Sequence, residues 1–168
     1  MKIHIVLVEP EIPQNTGNIV RTCAATGAKL HLVKPYGFVL SDKYLKRAGL
    51  DYWDKLEIEE HDSFEKFLDK YKPEEHSLFF VTSKGTHTYT QIDYSNRKEV
   101  FMLYGKETKG LPEEVMKEYL DQTVRIPMIQ DIRCLNLSNA VAIVTYEILR
   151  QNEFRNLQKT NNCLETKN

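Results

Sequence analysis

Residues 125–150 read RIPMIQDIRCLNLSNAVAIVTYEILR, which is a short strand-like run, a polar loop and then a helix. Positions 140–144 of that helix are apolar on every side, and a helix of this kind is normally buried. In a chain of 168 residues we expect this surface to pack against the chain's own sheet and against something else, such as a second copy. The loop at 130–136 is the first place where we expect a ligand.

Composition limits the kind of protein but leaves its partner open. The length and the formal net charge of −1 indicate one domain with no overall attraction to nucleic acid or membranes. Any RNA substrate would therefore have to meet local positive charge. The N-terminal apolar run that ends before Glu9 is too short for a signal peptide or a membrane-spanning helix. We predict a soluble, cytoplasmic protein with no membrane partner.

Cysteine and histidine spacing predicts no metal site. The three cysteines, Cys23, Cys134 and Cys163, lie far apart and lack the spacing of a zinc site or a disulfide framework. We expect all of them to be free thiols. The five histidines are scattered along the chain, and each is predicted to be structural or on the surface.

Strand-like runs alternate with helical patterns along the whole chain. Strands are predicted at 3–8, 30–33, 56–58, 78–82, 100–104 and 124–126. Helices are predicted after a loop at 15–18 as far as Gly27, from Ser41 or Asp42 to about Gly49, from Asp62 or Ser63 through Tyr71, and from 113 to 120 after Pro112. The alternation predicts an α/β fold with a mostly parallel sheet flanked by helices.

Three polar loops each follow a predicted strand, at 15–18, 105–110 and 128–136. In an open α/β sheet, ligands gather at the carboxyl ends of strands, at the point where the strand order reverses. We therefore expect these loops to surround one pocket. Neither common glycine-rich nucleotide motif is present, so the ligand is not predicted to be a conventional dinucleotide or nucleoside triphosphate.

The same loops resemble a known family. NTGNIVRTC at 15–23, FMLYGKETKGL at 101–111, and IPM at 126–128 leading to LNLSNA at 135–140 resemble the three motifs of the SPOUT class of RNA methyltransferases. EPEIPQNTGN at 9–18 and RAGLDY at 47–52 resemble the subfamily that methylates the ribose 2'-hydroxyl of cytidine or uridine 34 in tRNA. The resemblance covers about residues 2–151.

The resemblance implies S-adenosylmethionine as the cofactor, tRNA as the substrate, a homodimer, and a C-terminal trefoil knot. Strand order alone would predict an ordinary doubly wound sheet, because chains rarely thread. One SPOUT domain is expected over 1–151, and the polar segment 152–168 is expected to be a disordered tail. By motif, the cofactor is implied to lie at Val81, Thr82, Gly105, Glu107, Ile126, Met128, Cys134 and Leu135. No metal is implied.

The resemblance also places residues around the reacting hydroxyl. Arg21, Ser138 and Asn139 are implied to be catalytic, and Asn15, Asn18 and Tyr146 are implied to lie near the substrate or the dimer interface. A guanidinium normally stays protonated, so we expect Arg21 to bind the adjacent phosphate and stabilise the developing alkoxide. The alternatives are purely structural roles: Ser138 could cap its helix, Asn15 and Asn18 could shape their loop, and Tyr146 could be a packing residue.

Two other functions remain open from the sequence. Related SPOUT enzymes methylate other RNAs, so position 34 of tRNA is not the sole candidate substrate. The chain could instead be a non-catalytic RNA-binding or assembly factor, although Arg21, Asn136 and Ser138 count against that. Lys106 and Lys109 stand where proline and arginine are common in the family, which leaves the substrate contacts open because lysine lacks arginine's bidentate geometry.

Overall fold

The chain forms one parallel sheet with helices on both faces. The computed structural model describes residues 1–39, 56–73 and 75–160. The strands in these ranges are β1 (Lys2–Val8), β2 (Lys29–Val33), β3 (Ile58–His61), β4 (Leu78–Val81), β5 (His87–Thr88), β6 (Glu99–Tyr104) and β7 (Thr123–Arg125). The α-helices are α1 (Pro13–Thr26), α2 (Phe64–Lys70), α3 (Glu113–Glu118) and α4 (Leu137–Gln151).

The strand order is β3-β2-β1-β6-β4-β7-β5, and each neighbouring pair is parallel. Strands β2 and β3 extend the sheet on one side of β1. The later strands β4 to β7 form the other side, in the spatial order β6, β4, β7 and β5. The order therefore reverses between β1 and β6, where a ligand site is expected at the carboxyl ends. The predicted α/β class with a mostly parallel sheet is confirmed, and the trefoil knot stays a prediction.

Both faces of the sheet are buried, which explains why the central strands are mostly apolar. In β1, Ile5 and Leu7 join a core under α1 and α4. Val6 and Val8 point the other way and join a second core under α2 and α3. Helix α2 supplies part of that second core, because Phe64 and Phe67 belong to it and Leu68 and Tyr71 pack against it.

Helix α1 begins earlier than predicted. The segment 15–18, expected to be a loop, lies in the first turns of the helix, which starts at Pro13. Proline suits the first helical position because that amide has no partner within the helix. The N-cap residue is Ile12, whose side chain makes no capping hydrogen bond. The alternative that Asn15 and Asn18 shape a loop before the helix is therefore wrong. The predicted end at Gly27 is confirmed by its φ of 72°.

Other boundaries differ by a few residues. Ser63 caps α2 as predicted and accepts from the Lys66 amide at 3.3 Å. Strand β3 lies later than the predicted 56–58 because its pairing with β2, not its hydrophobicity, defines it. Strand β5 was not predicted, since two polar residues carry no pattern. Helix α3 stops at Glu118 rather than 120.

The C-terminal segment continues past α4 with contacts to the core. Phe154 and Leu157 pack against the core under α1 and α4, although the sequence predicted a disordered tail from 152 onward. The extent of the single domain stays a prediction, and the basic helix predicted near 41–49 falls outside the described residues. In the described ranges, no helix has the length and hydrophobicity to cross a membrane.

Candidate active site

A cavity of about 470 Å³ lies at the carboxyl ends of the central strands. It is bordered by the ends of β4, β6 and β7 and by the loops that the sequence predicted to converge. The lining includes every residue predicted to contact a cofactor: Val81, Thr82, Gly105, Glu107, Ile126, Met128, Cys134 and Leu135. From the 15–18 segment, only Asn15 contributes to the lining.

A tight turn after β6 forms one wall. A Cβ atom on Gly105 would lie 2.0 Å from the carbonyl carbon of Gly110, so any side chain there would force the backbone apart. Gly110 has a φ of 71° and donates its amide to the Lys106 carbonyl at 2.8 Å. Glycine tolerates that left-handed conformation without strain. The two glycines therefore let the chain fold back on itself beside the cavity.

The cavity provides local positive charge in a chain that is nearly neutral overall. Its charged lining residues are Lys84, Lys106, Lys109, Arg133, Glu107 and Glu113. Lys84 pairs with Glu113, and Lys106 pairs with Glu9 outside the lining. Lys109 and Arg133 are exposed. Cations therefore outnumber carboxylates at the rim, as an RNA phosphate would require.

Glu107 bonds to the start of α1. One carboxylate oxygen accepts from the Glu11 amide at 2.8 Å, and the other accepts from the Ile12 amide at 3.2 Å and from Asn15 Nδ2 at 3.1 Å. Glu11 reciprocates, accepting from the Thr108 amide at 3.0 Å and from its hydroxyl at 2.7 Å. These bonds lower the pKa of the Glu11 carboxyl, with the Thr108 hydroxyl contributing most. The loop after β6 is thereby docked on α1.

Asn15 and Asn136 extend these contacts to the start of α4. Asn136 Nδ2 donates to Asn15 Oδ1 at 2.9 Å, although the two residues are 121 positions apart. Asn136 is the N-cap of α4, and its Oδ1 accepts from the Ser138 amide at 2.9 Å and hydroxyl at 2.7 Å. Ser138 is buried and Asn139 is exposed. Sequence reasoning had not assigned Asn136 this bridging position.

The other residues predicted for the site are not among those that line the cavity; they are Ser138, Asn139, Arg21, Asn18 and Tyr146. Arg21 and Asn18 are exposed on α1, and Tyr146 is 47% exposed on α4. The two helices pack against each other. Within one copy, hydrogen bonds join Asn15, Asn136 and Ser138. Arg21 lies further along α1 and is exposed. Their roles stay predictions.

Apolar side chains are exposed around the cavity and on α4. Ile129 and Ile132, in the loop before α4, are 78% and 60% exposed. Ile143 is 37% exposed, whereas Val141 and Val144 of the same helix are fully buried. The helix that the sequence describes as apolar on every side is thus buried on one side of a single copy.

Three buried histidines form a chain beside α2, in the second core, and none of them lines the cavity. His4 Nδ1 lies 2.8 Å from His31 Nε2, and His31 Nδ1 lies 3.0 Å from His61 Nε2. Burial lowers the pKa of His4 to about 4 and that of His31 to about 3. In the sequence these residues lie far apart, and no link between them was predicted. The feature that could have indicated the link is one histidine in each of three strands that become neighbours in the sheet.

One end of this chain has the spacing of a metal site. Ligand atoms of His31, Glu59 and His61 all lie within 4.8 Å of one another. Glu59, however, accepts from Lys29 Nζ at 2.6 Å and from Lys70 Nζ at 2.7 Å. Two ammonium groups already balance its charge and would repel a cation. The geometry favours a structural hydrogen-bonded cluster, and the expected absence of a metal stays a prediction.

Sequence and fold both match one family of RNA-modifying proteins. Residues 2–146 match the SpoU rRNA Methylase family, and the chain belongs to that family. A relative from Bacillus subtilis, named "Putative tRNA (cytidine(34)-2'-O)-methyltransferase", is 48% identical over 93% of this chain and 97% of its own. A Listeria monocytogenes relative of the same name is 50% identical over 92% and 90%.

Solved structures agree with this assignment. A structure named "putative RNA methyltransferase from Bacillus anthracis" has a TM-score of 0.85 and 48% identity, covering 93% of this chain and 98% of its own. A structure described as giving insights into the 2'-OH methylation of C/U34 on tRNA has a TM-score of 0.83 and 44% identity, covering 92% and 98%. An AdoMet-bound rRNA methyltransferase from Sinorhizobium meliloti has a TM-score of 0.77 and 27% identity, covering 89% and 56%.

Proposed function

We propose that the protein transfers a methyl group from S-adenosylmethionine to the ribose 2'-hydroxyl of the pyrimidine at position 34 of tRNA. The observation that carries this proposal is the cavity. Residues from all three motifs line it, in a chain nearly half identical to relatives named for that reaction. A tRNA substrate also implies a cytoplasmic location. The family membership supports the reaction class, and the names of the relatives support position 34.

The cavity lining fits S-adenosylmethionine. Val81, Ile126 and Met128 offer apolar surface suited to an adenine ring and a thioether chain. At Gly105 the backbone itself borders the cavity, so main-chain groups can contact a ligand closely. When bound, this cofactor supplies an electrophilic methyl group on a positively charged sulfur. Cys134 also lines the cavity and is exposed, and contact through its backbone would not depend on the thiol.

The residues of the chain must orient the hydroxyl and stabilise its negative charge as it reacts. Ser138 and Asn139 lie in the first turn of α4, where the helix dipole favours negative charge. We assign Arg21 to the adjacent phosphate, from where its guanidinium would also stabilise the developing alkoxide. A bidentate arginine–phosphate contact suits this role.

The proposal includes a homodimer. Ile143 and Tyr146 expose apolar surface on α4, and the neighbouring α1 exposes Asn18 and Arg21. Arg21 is not among the residues that line its own cavity. A second copy seated on this face would cover the apolar surface, and it would give Arg21 a way to reach a reaction site. The trefoil knot is proposed on family grounds alone.

Methylation of another RNA is the second candidate. It is favoured by the family description, which refers to rRNA, and by the structural similarity to an rRNA methyltransferase. The chain covers only 56% of that neighbour, which is therefore the longer protein.

A small substrate such as an anticodon loop, by contrast, favours the first candidate, since single-stranded loops present their bases for recognition.

The experiment is incubation with methyl-labelled S-adenosylmethionine and either total tRNA or ribosomal RNA, followed by mapping of the labelled nucleotide. We expect label on the 2'-oxygen of nucleotide 34. A synthetic anticodon stem-loop with 2'-deoxyribose at that position is the matched control and should take no label. Label in ribosomal RNA alone would favour the second candidate. Cofactor binding without label in any RNA would favour a non-catalytic binding factor.

A further inference from the structure

The structure assigns Glu107 a different role from the cofactor contact implied by its motif, and we propose that it is a positioning residue. Its carboxylate, supplied from another loop, accepts from the two backbone amides just before α1 and from the Asn15 side chain, and it fixes the orientation of Asn15, Asn136 and Ser138. The consequence for methyl transfer rests on the proposed function. The hydrogen-bonded network itself rests on geometry alone.

Helix α1 lacks a cap of its own, because Ile12 has no side-chain acceptor. Unpaired amides at a helix start need a partner, and Glu107 supplies it across 95 and 96 residues of chain. A carboxylate has about four lone-pair sites. The Glu11 and Ile12 amides and Asn15 Nδ2 occupy three of them. Glu107 therefore lines the cavity with most of its acceptor capacity already used by the protein.

The negative charge determines which way each amide group faces. A carboxylate only accepts hydrogen bonds, so Asn15 must turn its Nδ2 toward Glu107, at 3.1 Å. Asn15 Oδ1 then faces away and accepts from Asn136 Nδ2 at 2.9 Å. This leaves Asn136 Oδ1 to cap α4. The polarity of the whole chain of amides is thus set at the carboxylate.

The last member of the network is Ser138. Its hydroxyl donates to Asn136 Oδ1 at 2.7 Å. A serine hydroxyl has one proton to donate, so any further contact by this oxygen is as an acceptor. An acceptor suits a substrate hydroxyl that must direct its own proton toward the protein. Glu107 therefore acts on the reaction through Ser138, without touching the reacting atoms.

Glu11 provides a matched comparison. Its carboxylate joins the same two segments through Thr108 but makes no bond to Asn15. Glu11→Gln should loosen the docking of the loop and leave the amide chain intact. Glu107→Ala should break both the docking of the loop and the chain of amide hydrogen bonds. In Glu107→Gln, the side-chain oxygen can still accept from Ile12 and Asn15, so the amide chain should be kept. The side-chain nitrogen then faces the Glu11 amide, donor to donor, so the hydrogen bond to Glu11 should be lost.

The first test is amide hydrogen exchange in the full chain, without RNA. Glu107→Ala should speed exchange of the Ile12 and Ser138 amides by about tenfold or more, as expected when a protecting hydrogen bond is lost or loosened. Glu107→Gln should keep Ser138 close to the original rate, and Glu11→Gln should speed only Thr108. If Glu107→Ala is unstable, Asn15→Ala breaks the same chain and should expose Ser138 equally. An unchanged Ser138 amide in both variants would overturn the proposal.

The second test separates positioning from cofactor contact. Calorimetry should give Glu107→Ala the same affinity for S-adenosylmethionine as the original chain, while kcat for methyl transfer falls about tenfold. A fall in cofactor affinity that accounts for the whole loss would show Glu107 to be a ligand. If the original chain methylates no RNA but the exchange results hold, the proposed function fails and the positioning network stands.

Discussion

At the scale of single residues, Gly105 has the clearest steric role. A Cβ at this position would overlap the backbone of Gly110, at 2.0 Å. Backbone, unlike the end of a flexible side chain, cannot move aside cheaply. The residue is therefore fixed by the return of the chain beside the cavity, and the same backbone borders the proposed cofactor site.

We predict that Gly105→Ala lowers the free energy of unfolding by about 1–3 kcal/mol, as overpacking typically does, and weakens cofactor binding. Thermal denaturation and calorimetry measure the two effects. Gly27→Ala is the control, because its Cβ would meet nothing within 4 Å and only the positive φ is strained. That variant should lose stability and keep its cofactor affinity. A Gly105→Ala protein with the original affinity would contradict the prediction.

Arg21 is the residue on which the proposed chemistry depends most. We predict that Arg21→Ala abolishes methyl transfer and leaves cofactor affinity nearly intact, because the side chain lies outside the cavity lining. Labelled transfer and calorimetry provide the two readouts. Arg155→Ala, which removes an exposed arginine after α4, should retain transfer. Loss of cofactor affinity in Arg21→Ala would refute the assigned role.

At the scale of elements, the histidine chain links the stability of three strands to pH. Its members are desolvated between the sheet and α2, where Phe67, Tyr71 and Phe101 surround the central ring of His31. Charged groups lie at both ends. Glu99 contacts His4 and His76 at one end, and Glu59 with Lys29 and Lys70 contacts the other. Lys2 and Glu57 also face His4.

We predict that stability falls as pH drops from 6.5 toward 3. Burial holds the pKa of His4 at about 4 and of His31 at about 3, below the ordinary value of 6.5. Below pH 6.5 the unfolded chain therefore binds more protons than the folded chain, which lowers the free energy of unfolding. The contribution is complete above 6.5 and is lost as pH passes through the folded values. Urea denaturation across this range measures the slope.

The control for this prediction is His31→Leu. It removes the central imidazole and should flatten the slope between pH 6.5 and 4, whatever its effect on absolute stability. His87→Gln, on β5 and outside the chain of rings, should leave the slope unchanged. Glu59 titrates lower: burial raises its pKa, but hydrogen bonds from Lys29 and Lys70 outweigh this and lower it to about 2. The stability that ionised Glu59 contributes is therefore lost only as pH falls below 4.5. A slope that is the same in His31→Leu would contradict the assignment.

At the scale of the whole molecule, we predict a homodimer through the exposed face of α4. Ile143→Glu should shift sedimentation from dimer toward monomer, because burying an unpaired carboxylate is costly. Leu120→Glu is the control, since Leu120 is 50% exposed and lies outside α4, so it should not change the sedimentation. A stable monomer of the original chain at micromolar concentration would contradict the prediction.

The sequence by itself determined the fold class and the position of the site along the chain. Strands buried on both faces are mostly apolar, and the helices between them have a helical hydrophobic period, so the alternation of β1, α1 and β2 can be recognised from local sequence. Loops that follow parallel strands necessarily reach the same edge of the sheet. The eight residues expected at a cofactor all line the resulting cavity, although their role rests on resemblance.

Only the tertiary structure decided which atoms face one another. Glu107 turns toward α1, and Asn15 and Asn136 pair across 121 residues. His4 and His31 come into contact because β1 and β2 are neighbours, and Arg21 stays outside the cavity lining. These facts depend on strand order and helix rotation, which arise from contacts distant in sequence. A local pattern shows that a polar residue follows a strand, but not which partner satisfies its hydrogen bonds.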